Sequence, residues 1–251
     1  MIRIEDDGPV RCITLDRPDK RNALTPGALD ALARAFGPDA GGASGCRAYL
    51  LRGEGRAFCA GFDLDLCRRD GPDQTVMRSF LEGLSRAVLA MRSSDRPVVL
   101  AAHGAAIAGG CALLGGADVV VADRGAKLGY PVVRLGISPA VSAPFLLESV
   151  GAGATRRRLL DPGLFDGAEG MRLGLVHELM DDPEDVGPRA HEIARSLAAK
   201  PPLAMKATKK WAMEVGGEKK MPGRAARALD VSVSLVAGAE AVGRLREKWK
   251  Q

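Results

Sequence analysis

Apolar residues follow two alternating rhythms along this chain. Val10 to Leu15 is a short β-rich run, closed by the turn-forming Asp16-Arg17-Pro18-Asp19. Thr25-Pro26 then offers an N-cap followed by a proline at the first helical position. Ala28, Leu29, Leu32, Ala33 and Phe36 repeat at three and four residues, which predicts a helix stopped at Gly37-Pro38. Ala48 to Leu51 predicts a short buried strand. Met77, Phe80, Leu81, Leu84, Ala87, Val88 and Met91 mark a long amphipathic helix that ends before Pro97. Val98 to Ala102 is an apolar strand, followed by a glycine-bearing turn and an apolar helix. Val119 to Ala122 is a further strand.

Strands that alternate with helices predict an α/β fold whose strands are covered on both faces. Beyond Pro201-Pro202 only helical patterns remain, broken at Gly216-Gly217. The division is an α/β core over residues 1–195 and a helical region over 196–251. Within that region Leu229, Val233 and Val236 form an apolar stripe, which needs a partner surface. That surface is either the chain's own core or another subunit.

Length and composition narrow the class. At 251 residues, 46% hydrophobic and 27% charged, the chain has enough apolar surface to fold as a globular protein. No apolar run is long enough for a membrane span, which takes ~18 residues, and the first residues carry no apolar leader segment. The net charge of +5 admits an anionic partner. Two Trp, two Tyr and six Phe offer few surfaces for stacking bases, which argues against a nucleic-acid partner. Five cysteines without a CxxC, and three scattered histidines, argue against a disulfide framework or a zinc site. A reducing cytoplasm is the expected location.

Two glycine-bearing turns carry the chemistry. One is Arg56-Ala57-Phe58-Cys59-Ala60-Gly61-Phe62-Asp63-Leu64. The other runs from His103 to Leu113 through Gly104, Gly109 and Gly110. Small residues between a strand and a helix let a ligand approach unpaired N–H groups at the helix start. Such a turn can hold an anion, including one that forms only in a transition state. Either turn alone also fits close helix–strand packing.

Taken together, the blocks ITLDRPDKRNALT, GRAFCAGFDL, HGAAIAGG ahead of ADVVVAD, GYPVVRLGISP, EGMRLGLVHEL and PPLAMKATKK resemble the crotonase (enoyl-CoA hydratase/isomerase) superfamily from Ile13 to about Lys209. The resemblance implies a ββα spiral core with a C-terminal helical oligomerisation region, and assembly into trimers, often paired. It implies an acyl-CoA thioester as ligand, with coenzyme A part of the substrate and no further cofactor. It places the two backbone N–H groups of an oxyanion hole at Ala60 and Gly109. Two such donors stabilise a thioester enolate by ~3–4 kcal/mol each. It places CoA contacts at Arg21, Ala23 and Leu24, along Ala60, Gly61, Phe62, Asp63 and Leu64, and at Gly109. Arg21 or Lys20 would meet phosphates, with Lys248 and Lys250 as further candidates.

The chain departs from that pattern where the family holds its glutamates. Ala112 stands in place of one and Val132 in place of the other, and a third position used as an acid in some members falls near Ala140. Paired carboxylates activate water and deliver a proton, so ordinary hydration is not expected here. Isomerisation or decarboxylation remains open, as does a catalytically silent acyl-CoA-binding protein. A serine hydrolase is disfavoured, because Ser138 lacks the final glycine of a nucleophile elbow. Tyr130 can orient a carboxylate or donate a proton, or simply be buried with one hydrogen bond. Asp63 is expected to cap a short helix. Glu82 is expected to be solvated and His103 structural. Cys111 is expected to be buried. Arg134 lies near the implied pocket, and the loop over 67–76 is expected to be mobile.

Overall fold

The computed structural model describes residues 1–37, 45–68 and 73–250. Its elements in chain order are β1 (Ile2–Asp7), β2 (Val10–Leu15), α1 (Pro26–Phe36), β3 (Ala48–Gly53), α2 (Gln74–Ser93), β4 (Val98–Ala102), β5 (Ala105–Ile107), α3 (Gly109–Leu114), β6 (Val119–Asp123), β7 (Lys127–Gly129), α4 (Ala143–Leu160), α5 (Gly167–Leu173), β8 (Glu178–Met180), α6 (Pro183–Ala198), α7 (Pro202–Val215), α8 (Met221–Val236) and α9 (Ala239–Lys248). Six strands form one sheet in the order β1-β2-β3-β4-β6-β8, and β5 pairs with β7 in a second. Among the described strands only β1 runs antiparallel to its neighbour.

The register explains why the inner strands read as continuous apolar runs. Ile13 pairs with Leu51, Leu51 with Leu100 and Leu100 with Val120, and this row is buried against α1, α2 and α3. The alternate residues, Cys12, Leu50, Val99 and Ala101 with its partner Val121, are buried on the opposite face. There α6 covers it with Val186, Ala190, Ala194 and Ala198, one residue per turn. Thr25 accepts from the Ala28 N–H and caps α1 as its sequence predicts. Within that helix Ala35 is buried and Ala33 only half-buried, a one-position error in the expected stripe.

The residues from Pro202 onward are mostly helical, and the boundary at 195/196 falls inside the last turn of α6. The stripe on α8 meets the chain's own core: Leu229 and Val233 pack against it and Val236 is buried. Lys209 anchors α7. Its ammonium, on a side chain 9% exposed, donates to Asp118 Oδ2 (2.7 Å) and to the Arg96 carbonyl (3.0 Å). Lys209→Met is therefore expected to cost ~3 kcal/mol in urea unfolding, because Asp118 keeps its charge and loses its cation. A change below ~1 kcal/mol would mean that α7 is held by its apolar contacts alone.

Candidate active site

Three strips of backbone build the site. After β2 the chain turns through Arg21 (φ 50°) and Asn22 (φ 55°), both left-handed. Asn22 is buried, and its amide nitrogen donates to the carbonyls of Glu54 and Ala57 (2.8 Å each) while its oxygen accepts from the Arg17 N–H. Arg17 in turn donates to the Ala23 carbonyl and to Asp63 Oδ2, 2.8 Å each. Residues 21–24 are thus fastened to residues 54–63. The two segments then pair: Ala60 N–H donates to Arg21 O (2.9 Å), Leu24 N–H to Gly61 O (2.7 Å) and Asp63 N–H to Leu24 O (2.9 Å).

That pairing sets the direction of each N–H. In a parallel bridge between Leu24 and Phe62, residues 61 and 63 bond to Leu24, so Phe62 turns its own N–H to the other edge. On that edge Cys59 pairs with β5, donating to Ala105 O and accepting from Ile107 N–H. The ladder stops there, because Ala108 turns away and donates to Gly129 O. Gly109 then opens α3. Among the described residues neither the Phe62 N–H nor the Gly109 N–H has an acceptor. The two loops are in close contact: a Cβ on Gly61 would lie 3.8 Å from the Gly109 nitrogen, and one on Gly110 would lie 2.5 Å from the Cys59 oxygen.

Phe62 and Gly109, which carry the two unpaired donors, both line a cavity of about 610 Å³. Its rim carries the exposed Lys20, Arg21, Arg68 and Lys248. Its interior is walled by apolar side chains, among them Met77, Leu81, Leu84, Val132 and Ile137. The Phe62 ring stacks on the buried Phe80 (centroids 4.6 Å apart, 15° between planes) and lies over Gly109. The acidic side chains on the wall are Asp19, Asp63 and Asp65. Arg17 holds Asp63, and Lys20 lies 3.6 Å from Asp65.

Several expectations need correction. Ala60 lines the cavity, but its N–H is already spent on Arg21 O, so the free donor of that turn belongs to Phe62. Asp63 stands at the N-cap of the 64–67 turn without capping it, since Arg17 takes its carboxylate. Of the loop expected to be mobile over 67–76, Cys67 closes a turn and residues 74–76 belong to α2, while residues 69–72 lie outside the described residues. Ala23, Leu64 and Lys248 line the cavity. Leu24 and Gly61 sit beneath it, whereas Arg134 and Lys250 are absent from its wall.

The replaced positions differ from one another. Val132 is on the cavity wall, whereas Ala112, on α3, is 2% exposed and packed into the core. Ala140 is off the wall, flanked by Pro139 and Val141, which are on it. Tyr130 lines the cavity with its hydroxyl donating to the Cys111 carbonyl (3.3 Å), and burial holds its pKa well above the ordinary value. Burial likewise pushes the Cys111 thiol up to about 11, leaving it protonated. His103 Nε2 donates to Gly55 O (2.7 Å), Ser138 Oγ accepts from Ala140 N–H, and Glu82 lies 3.8 Å from Arg78. Ser138 also lines the cavity, and the Glu82 side chain is partly exposed. Sequence reasoning missed Arg17, Asn22 and the Phe62 N–H, whose roles depend on pairing between distant segments. Among the described residues no cluster of three metal-ligating side chains occurs, and no helix is long and apolar enough to cross a membrane.

Ala108 sits at φ 52°, ψ −112°, a conformation costly for any residue with a Cβ. Ala108→Gly is expected to stabilise the fold by about 1 kcal/mol, read as a higher urea midpoint with unchanged slope. A lower midpoint would mean that the Ala108 methyl contributes more by packing than its backbone costs.

Residues 5–239 match the model of the enoyl-CoA hydratase/isomerase family. Among similar proteins is the cyclohexa-1,5-dienecarbonyl-CoA hydratase of Thauera aromatica, 32% identical over 82% of this chain and 78% of its own. A second is the short-chain-enoyl-CoA hydratase of Clostridium acetobutylicum, 28% identical over 82% of this chain and 78% of its own. In three dimensions the chain resembles an enoyl-CoA hydratase from Bacillus halodurans (TM-score 0.84, 26% identity, 98% of this chain and 99% of that one). It also resembles an enoyl-CoA hydratase/isomerase from Xanthobacter autotrophicus Py2 (TM-score 0.87, 24% identity, 100% and 93%).

Proposed function

The chain belongs to the enoyl-CoA hydratase/isomerase family, and from that premise we propose that it binds an acyl-CoA thioester and stabilises the thioester enolate between the N–H groups of Phe62 and Gly109. The observation that carries this reading is that the two backbone donors left unpaired belong to residues lining one cavity. Negative charge grows on the thioester oxygen as an enolate forms, and donors already aimed at it need no reorganisation. The cationic rim of Lys20, Arg21, Arg68 and Lys248 suits the CoA phosphates. CoA enters as part of the substrate, and no resident cofactor is invoked.

Neither replaced position carries a carboxylate, and of the acids on the wall Asp63 is held by Arg17 and Asp65 lies near Lys20, so hydration is not the reaction proposed. Decarboxylation fits better. The bond to a carboxyl carbon breaks, carbon dioxide leaves, and the electron pair becomes the enolate without a base; the α-carbon of the enolate then takes a proton from water to give the shortened thioester. Isomerisation through the same enolate is compatible but needs a proton carrier. A catalytically silent acyl-CoA holder is the second reading, favoured by the same missing carboxylates. Trimers, single or paired, and a cytoplasmic location belong to the proposal. The exposed Leu203, Trp211 and Val215 on α7 support the first, and five free cysteines support the second.

Incubation with trans-2-enoyl-CoA and with malonyl-type thioesters, reading both binding and turnover, tests this. Turnover of a malonyl-type ester with little hydration is expected. Binding without turnover of any ester would leave the silent holder, and hydration at the rate of glutamate-bearing relatives would refute the reading of Ala112 and Val132.

A further inference from the structure

Ala108 lines the same cavity as Phe62 and Gly109, and it precedes Gly109 at φ 52°, ψ −112°. Both of its peptide groups are pinned. Its N–H donates to Gly129 O (2.8 Å), and its carbonyl accepts from Ala112 N–H (2.9 Å). The C=O and N–H of one planar trans peptide point in opposite directions. The bond to Ala112 therefore turns the Gly109 N–H away from the body of α3. Glycine adopts such a conformation without steric cost, whereas a Cβ makes it expensive. The side chain is a single methyl, so all it can contribute is contact.

That contact falls on the strip carrying the other donor. A Cβ on Gly61 would lie 3.2 Å from Ala108 Cβ and 3.0 Å from Ile107 O. The methyl thus stands beside the Gly61 backbone. Gly61, at φ 96°, is the joint of its strip. Its carbonyl takes the Leu24 N–H (2.7 Å), but its own N–H reaches only Cys59 Sγ, at 3.5 Å. The peptide between Gly61 and Phe62, which carries the Phe62 N–H, is bonded at its carbonyl. The methyl bounds it from the side of Gly109. Without the methyl, that joint has room to turn, and the two donors lose their fixed separation.

We infer that Ala108 is a positioning residue: its methyl is a spacer that fixes the Phe62 and Gly109 N–H groups relative to one another, and its strained backbone is tolerated because it places that methyl. This rests on the enolate reading above and concerns how the same site is held. Ala108→Gly tests it, because the variant is expected to be more stable and yet to favour an enolate less. The apparent pKa of bound acetoacetyl-CoA, read from its enolate band, is expected to lie about one unit higher in Ala108→Gly than in the wild-type protein, a tenfold weaker preference for the enolate. Butyryl-CoA, which binds as the neutral thioester, is expected to bind both proteins alike. Ala108→Ser, which keeps the Cβ, is expected to keep the wild-type pKa. A pKa in Ala108→Gly at or below the wild-type value would overturn the inference, and so would an equal rise in Ala108→Ser. If the wild-type protein binds no CoA ester, or leaves the ligand pKa unshifted, the enolate reading falls and the spacer with it. If the wild-type shift is present and Ala108→Gly retains it, that reading stands and only the spacer is lost.

Discussion

Gly109→Ala is expected to weaken enolate stabilisation by about 10²-fold while the protein stays folded, the effect of losing one well-placed oxyanion donor. A Cβ at this position would lie 2.9 Å from Phe62 Cε1 and 3.3 Å from Leu24 Cδ1. Neither neighbour can retreat freely. The Phe62 ring is backed by the buried Phe80, and Leu24 is fully packed. The methyl must therefore displace the segment that carries the Phe62 N–H, or shift the Gly109 N–H itself. Either movement separates two donors whose value depends on meeting one oxygen. The readout is the near-ultraviolet enolate band of bound acetoacetyl-CoA. That band is expected to fade in the variant, with overall CoA-ester affinity falling much less. An unchanged band would show that the charge is stabilised elsewhere.

Restoring both carboxylates, as Ala112→Glu with Val132→Glu, is expected to raise hydration of a short trans-2-enoyl-CoA at least 10²-fold over the wild-type protein. General acid–base groups contribute about 10²–10⁴ each, and the wild-type chain has none at these two positions. The two positions differ in what they demand. Val132 is on the wall, so its replacement places a carboxyl directly in the cavity. Ala112 is sealed in the core, and a glutamate there must open its own space. Burying that carboxyl is expected to cost a few kcal/mol unless it reaches the cavity. Stability should be measured beside rate for that reason. A stable double variant with no gain in hydration would mean that the cavity has been reshaped beyond its two missing side chains.

How much of the molecule is legible in its sequence follows from how local each feature is. The inner parallel strands are legible because burial on both faces makes them apolar throughout, as in Val98–Ala102. The edge strand β1, with the sequence IRIEDD, carries charges on an exposed surface and gives no such signal. Strands β5 and β7 are three residues long, too short for a periodic signal to distinguish them from turns. Gly109 is legible because close packing demands glycine. Ala60 misleads for a related reason: a small residue suggests close approach of a ligand. Which N–H is free is decided by pairing between residues 21–24 and 60–63, and no local pattern encodes that. The missing glutamates are the opposite case, because residue identity at Ala112 and Val132 is enough to reveal them.

The pH titration of acetoacetyl-CoA, free and bound to the wild-type protein, tests the two-donor oxyanion hole most directly. The enolate band reports the ionised form, and one pKa unit corresponds to about 1.36 kcal/mol of differential stabilisation. With the Phe62 and Gly109 N–H groups both on the enolate oxygen, the apparent pKa of the bound ligand is expected to fall by ~2 units or more. Saturable binding with the pKa of the free ligand unchanged would contradict the assignment of these two donors to an enolate.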